Sequence, residues 1–285
     1  DGEWKRFHET RAGLGRIDAF INAFNITLRN KNERADLSAP LGFPPIWGIE
    51  NKKLIHYTGN TNSVLLRNVG QAMGGGAILL DDQGNSTVHV ANLVKLEKLM
   101  YKLSAPKWIS LFKNEDTSFQ INEQKVAKGK TLFLQNCAQC HYPKTIDYSY
   151  EKPLYDYGLF SQKEIGTDIE LANQIVKAIN PLADRSSFPN KYYITRNHAV
   201  INSYFKRYNI DTAAQANYSF EKYRGPEWYR DTKLDHPELS YTARDLSGIW
   251  ATAPFLHNNS VPTLWDLLQK SKNRPVVFRQ GQQFF

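Results

Sequence analysis

Residues 137–141 read Cys-Ala-Gln-Cys-His and hold both cysteines of the chain. Thiols three positions apart on a helical turn lie on one side of it, so both sulfurs can reach the same edge of a flat ligand. The next residue, His141, is carried along with them. This is the attachment pattern of a c-type haem: the thiols of Cys137 and Cys140 form thioethers with the vinyl groups, and the His141 imidazole takes the iron as proximal ligand. For a chain of this length and composition, the accidental spacing has odds on the order of 1 in 6,000. A redox dithiol would want a βαβ context, which the sequence does not offer. Zinc would need further Cys or His at ligand spacing, and there is no second Cys pair.

The second axial face of such an iron decides its chemistry. Sulfur or imidazole on both faces favours outer-sphere electron transfer, whereas an open face admits peroxide or dioxygen. Met73 and Met100 are the available thioethers. Met100 belongs to an apolar helical stripe. Met73 precedes Gly74-Gly75-Gly76, which would let it approach a cofactor, although a lone Met more often packs. The remaining histidines are His8, His56, His89, His198, His236 and His257. Taken singly, each is more often a surface or hydrogen-bonded residue than a ligand. His257 differs in its setting, Trp250-Ala251-Thr252-Ala253-Pro254-Phe255-Leu256-His257-Asn258-Asn259-Ser260. An apolar, Pro-turned segment ending in a polar turn is a good way to present an imidazole to an apolar pocket.

The elements that must hold these residues read as helices. One over Glu123–Phe133 leads straight into the motif. Ser63–Met73 forms another, stopped by the three glycines. Val88–Leu103 carries Leu93, Leu96, Met100 and Leu103 as an apolar stripe with lysines opposite, and Pro106 ends it. Asp168–Ala178 is a fourth, and a short helix comes after Pro262. Gly13–Asn22 reads as a loop entering a helix, 39–60 and 142–158 as irregular loops, and 180–240 as a long polar and aromatic stretch with few elements. No internal repeat is visible. Residues 108–120 read as a polar linker. The expected architecture is mainly α: a helical and irregular N-terminal region, 1–115, then a cytochrome c-like haem domain, 116–285.

Composition agrees with a water-soluble class: 41% hydrophobic, 22% charged, mean hydropathy −0.54. No apolar run approaches the roughly 18 residues of a membrane span. The net charge of +8 comes without a dense Lys/Arg run or reader motif, so nucleic acid is not the expected partner. Six Trp, 15 Tyr and 15 Phe suit a protein wrapped around a flat apolar cofactor.

The segment Tyr241-x-Ala243-Arg244-x-Leu246-x-Gly248-Ile249-Trp250-Ala251-Thr252-Ala253-Pro254-Phe255-Leu256-His257-Asn258-x-Ser260-Val261-Pro262-Thr263-Leu264 resembles the C-terminal signature of the bacterial di-haem cytochrome c peroxidase superfamily, in its rubber-oxygenase-like branch. Gly15–Phe20, Phe43–Trp47, Arg67–Gly70 and the Val88–Trp108 region add weaker matches in the same order. The resemblance implies two c-type haem domains, electron traffic between them, peroxide or dioxygen chemistry at one, and a periplasmic or secreted location. It implies His257 as the second axial ligand of the C-terminal haem. It also brings Arg244 and Trp250 into that pocket, Arg244 facing a propionate and Trp250 packing on the porphyrin. The chain has one haem motif where the family has two, so either an N-terminal haem segment lies outside it or that haem was lost. The expected cofactor is one covalent haem c, and the expected partner is a redox protein or the missing haem segment. Three roles are open: the electron-transferring haem part of a peroxidase or oxygenase, a stand-alone electron-transfer cytochrome, or a haem-stabilised interaction subunit.

Overall fold

Helices form where a polar cap meets an apolar face. In a computed structural model, Ser63 caps α1 (Val64–Gly74), its side chain accepting from Leu66 N at 3.2 Å. His89 caps α2 (Val90–Met100) through Asn92 N. Asn122 caps α3 (Glu123–Asn136) through Lys125 N at 2.9 Å. The short α4 (Ala138–His141) comes at once, with Cys137 joining the two helices. The structure describes residues 15–18, 21–23, 25, 39–59, 61–78, 80–108, 112, 119–150, 152–179, 189–215 and 240–279; within 175–196 only the backbone is described.

After the motif come β3 (Thr145–Asp147) and β4 (Leu154–Asp156), paired antiparallel, then β5 (Leu159–Ser161). Helices α5 (Gln162–Ile165), α6 (Glu170–Ile179), α7 (Pro189–Arg207) and α8 (Thr212–Gln215) lead to β6 (Ser240–Thr242) and α9 (Leu264–Leu267). Two more two-residue strands, β1 (Arg16–Ile17) and β2 (Leu41–Gly42), pair near the start, and β5 pairs with β6. Among the described residues helix dominates and every strand is three residues or shorter, in line with the mainly α expectation.

The principal core lies around α1. Val64, Leu65, Leu66, Val69 and Met73 are buried, and Val69 and Met73 meet Val90 and Val94 of α2 and Val200, Ile201 and Tyr204 of α7 in one apolar cluster. Two expectations are corrected here. The buried face of α2 is Val90, Val94 and Glu97, while Leu96, Leu99 and Leu103 are exposed. Glu97 is tolerated inside because the Tyr101 hydroxyl donates to it. The stretch 180–240 contains a 19-residue helix, α7. Among its described side chains Asn197, Val200, Ile201 and Tyr204 are buried, and the Asn197 amide donates to Leu66 O at 3.2 Å. A polar residue in that set hides the 197, 200, 201, 204 spacing from a hydrophobicity reading.

A third correction concerns repeats. Two segments 200 residues apart share one backbone. The 3-10 turns Ile49–Asn51 and Ile249–Ala251 each come after a left-handed glycine, Gly48 at φ 66° and Gly248 at φ 70°. Each segment closes an isolated bridge, Ile55 to Thr61 and Phe255 to Val261. His56 and Leu256 are both left-handed, at φ 67° and 66°, as are Gly59 and Asn259. Ser63 and Thr263 both cap the next helix. The two copies pair about a local pseudo-twofold: Gly42 N donates to His257 O at 2.8 Å, and Thr242 N donates to Tyr57 O at 2.7 Å. Across 40–67 only Gly48 and Ile49 keep their residue type in the second copy, so the repeat lives in backbone conformation.

Candidate haem site

The C-terminal end of α3 runs into the motif through an unbroken set of backbone bonds: Cys137 N to Phe133 O at 2.8 Å, Cys140 N to Cys137 O at 3.1 Å and His141 N to Cys137 O at 2.9 Å. Both thiols are free and part-exposed. The decisive contact is made by the histidine. His141 Nδ1 lies 2.8 Å from the backbone carbonyl of Arg244, 103 positions on. A carbonyl oxygen only accepts, so Nδ1 carries the proton and Nε2 is left with the lone pair. An imidazole oriented this way by its other nitrogen is how proteins prepare a metal ligand.

The surroundings fit a flat apolar cofactor. No residue of α3 is buried, yet Val126, Leu132 and Leu134 are apolar and about half exposed, as is Tyr142 just past the motif. Phe133 and Tyr142 meet edge to face at 6.1 Å between centroids. A 14-residue helix with uncovered apolar side chains lacks the packing that stabilises most helices, and a haem would supply that cover. Among the described residues no cluster of three or more His, Cys, Asp and Glu could hold a bare metal ion.

Arg244 meets the motif through its carbonyl. Its guanidinium points elsewhere, over the Tyr57 ring at 4.7 Å. Desolvation holds that guanidinium below the ordinary arginine range, with Tyr57 opposing, and burial pushes the Tyr57 phenol up. Trp250 joins an aromatic cluster: its indole donates to Pro106 O at 3.2 Å, and its ring meets Trp108 at 5.0 Å and Phe112 at 5.9 Å. Phe112 and Phe119 stack at 5.2 Å. Trp108, Phe112 and Phe119 thus place aromatic packing where a polar linker was expected. The boundary between 115 and 116 lies outside the described residues.

His257 is buried between Tyr241, 4.8 Å away, and Tyr57, 5.9 Å away. Its Nε2 makes no hydrogen bond and sits 3.8 Å from Asp168 Oδ2, which is an ion-pair distance and too long for a hydrogen bond. Beside that imidazole, and with Glu170 N and the Asn258 amide as further donors, Asp168 is held down at about 2. Tyr241 O–H donates to Asp168 O at 2.8 Å and fixes the start of α6. No described contact joins His257 directly to His141. The two meet only through Arg244 and Tyr57. Asp168 and Tyr57 went unrecognised in the sequence; for Tyr57 the available signal was the spacing of 200 from His257.

Of the other ligand candidates, Met73, Met100 and His89 have structural roles. Met73 is fully buried in the principal core, and Met100 packs against Ile49, Ile55 and Val64. His89 is a helix cap whose ring meets Tyr204 at 5.4 Å. His198 lies on α7. His8 and His236 lie outside the described residues. His56 lines a cavity of about 290 Å³ whose wall is made by residues 41–46 and 55–58, with Arg67 and Gln71 of α1, Leu171 and Arg244.

Residues 240–279, which hold the second copy of the repeat and α9, match the RoxA-like, cytochrome c-like family. This is a haem-binding, electron-transfer type of domain. The chain is also 26% identical to the uncharacterized protein y4iJ of Sinorhizobium fredii, over 95% of this chain and 50% of that protein. It is 23% identical to the uncharacterized protein y4iM of the same organism, over 84% of this chain and 46% of that protein. The chain therefore spans about half the length of these curated relatives. No solved structure matches it. Among the described residues no helix is long and apolar enough to cross a membrane.

Proposed function

We propose that this chain is the electron-transferring part of a di-haem peroxidase or oxygenase type of oxidoreductase. It would hold one haem c through Cys137 and Cys140, with His141 as proximal ligand. The observation that carries the reading is the bond from His141 Nδ1 to Arg244 O, which leaves Nε2 prepared for iron. Such a haem supplies a one-electron couple whose potential depends on axial ligands, second-shell bonds and burial. The chain's own part is to tether, orient and dry. The two thiols fix the edge of the ring. Arg244 O keeps the imidazole in one tautomer and makes it more basic. Val126, Phe133 and Tyr142 exclude water.

His257 is proposed as the second axial ligand, supported by a buried Nε2 that makes no hydrogen bond. Asp168 favours a second reading, in which His257 is an ion-pair partner and the sixth position is filled by another residue. The spectrum separates them. A bis-imidazole haem is low-spin and does not change on adding peroxide. His257→Ala converts it to high spin or opens it to added ligands; a spectrum that stays low-spin and unchanged removes His257 from the iron.

Relatives about twice as long support a second haem-bearing segment that carries the peroxide or dioxygen chemistry. The division at 115/116 and a periplasmic or secreted location belong to the same proposal. Haem counting on the longer polypeptide tests it: two haems are expected, and one would leave a stand-alone electron-transfer cytochrome.

A further inference from the structure

Arg244 faces two ways. Its carbonyl holds His141, while its guanidinium lines the 290 Å³ cavity beside Tyr57. Among the described residues no carboxylate pairs with that guanidinium. A desolvated cation without a counter-charge is costly to keep, and a guanidinium's fork of donors matches a planar carboxylate in a bidentate pair. The rest of the cavity is mixed. Phe43, Pro44, Ile46 and Leu171 make it apolar, and Arg67, bonded to Asn68 Oδ1 at 2.8 Å, also lines it. Phe43 and Ile46 are about half exposed, so a ligand can reach the site from solvent.

We propose that this cavity binds an organic carboxylate with an apolar body, its charge on Arg244, and that Arg244 relays its occupancy to the haem site through the carbonyl it gives to His141. The binding half stands on the cavity alone, and the relay half rests on the haem reading above. Neutralising a cation next to the proximal ligand stabilises the ferric state, so occupancy lowers the haem's reduction potential. Arg244 acts here as a positioning residue for His141 and as a binding residue for the ligand.

Hexanoate is the probe, with 1-hexanol as its uncharged counterpart. Calorimetry on the chain as isolated should show hexanoate binding at least tenfold weaker in Arg244→Gln, largely restored in Arg244→Lys, and little binding of hexanol to any form. In the haem-loaded chain, hexanoate should lower the midpoint potential. Arg244→Gln should lower it without ligand and abolish the response. A haem-loaded chain that does not bind hexanoate overturns the proposal, a haem propionate then being the group that holds the guanidinium. Equal binding of hexanoate and hexanol overturns it, as does hexanoate binding indifferent to Arg244→Gln. If Arg244→Gln does not fold, the hexanoate-to-hexanol ratio and Arg244→Lys decide. A chain that never takes up haem defeats the haem reading while leaving the calorimetry to judge the cavity.

Discussion

The two copies of the repeat share a backbone and differ in everything attached to it. In the first copy, α1 is sunk in the core, with Val64 at 0% and Leu65 at 2% exposure; in the second, the equivalent Leu264 and Trp265 are 37% and 74% exposed. The equivalent turn residues are Tyr57 and His257. Tyr57 donates its hydroxyl to Gly42 O at 3.3 Å, while His257 lies against Asp168. A conformation set by left-handed positions and a Ser or Thr cap therefore leaves the side chain at its apex free to take different chemistry. One copy builds the core and a cavity, and the other sets the Arg244 carbonyl against His141.

Substitutions can break or sharpen that contrast. The largest effect is expected from Cys137→Ala with Cys140→Ala, which should remove all covalent haem, as read by intact mass, and collapse the haem region while the core around α1 keeps its far-ultraviolet helix signal. Next, Leu65→Ala should cost about 2–5 kcal/mol in denaturant unfolding, against about 0.5 kcal/mol or less for Trp265→Ala. Similar costs would erase the difference between the copies. A Cβ on Gly42 would lie 1.9 Å from Asn259 Oδ1, across the pseudo-twofold. Gly42→Ala should cost about 1–3 kcal/mol. Asn259→Gly, at a φ of 55° that glycine accepts, should relieve most of that cost in the double variant, although it gives up the bond from Asn259 to Gly15 O. A purely additive pair would show that the copies do not meet there.

The smallest effects concern pH, and the two sides of the molecule titrate oppositely. Asp18, bonded to Ile21 N and Ala39 N, is pushed by burial up to about 6. Its folded form holds the proton more tightly than the unfolded chain, so stability is highest below about pH 4 and declines as pH rises through about 6. Asp18→Asn should flatten that decline. Asp168, held down at about 2 beside His257, contributes above about pH 4 and loses its contribution as pH falls through about 2. Asp168→Asn should flatten the acid limb only. Melting temperature against pH for both variants checks the signs.

The haem motif, the helix before it and the Ser63-capped helix were legible because each is local: a spacing, a cap, a glycine stop. Arg244 and Trp250 were singled out only through resemblance. Arg244 serves His141 through its main chain, which no side-chain pattern reveals. The α2 stripe misled because Glu97 takes an inward position that hydrophobicity assigns to Leu96. In helix α7 the buried Asn197, whose amide donates to a carbonyl 131 positions away, breaks the apolar spacing in the same way. The repeat was illegible because it preserves three left-handed positions and a cap, and Gly, His, Leu and Asn all meet that need.

The most direct measurement is the haem-to-chain ratio by pyridine haemochrome, combined with intact mass after acidified-acetone extraction. One haem per chain that stays with the protein through extraction is the predicted result. Colourless protein, or pigment that passes into the solvent, would contradict the assignment of Cys137, Cys140 and His141.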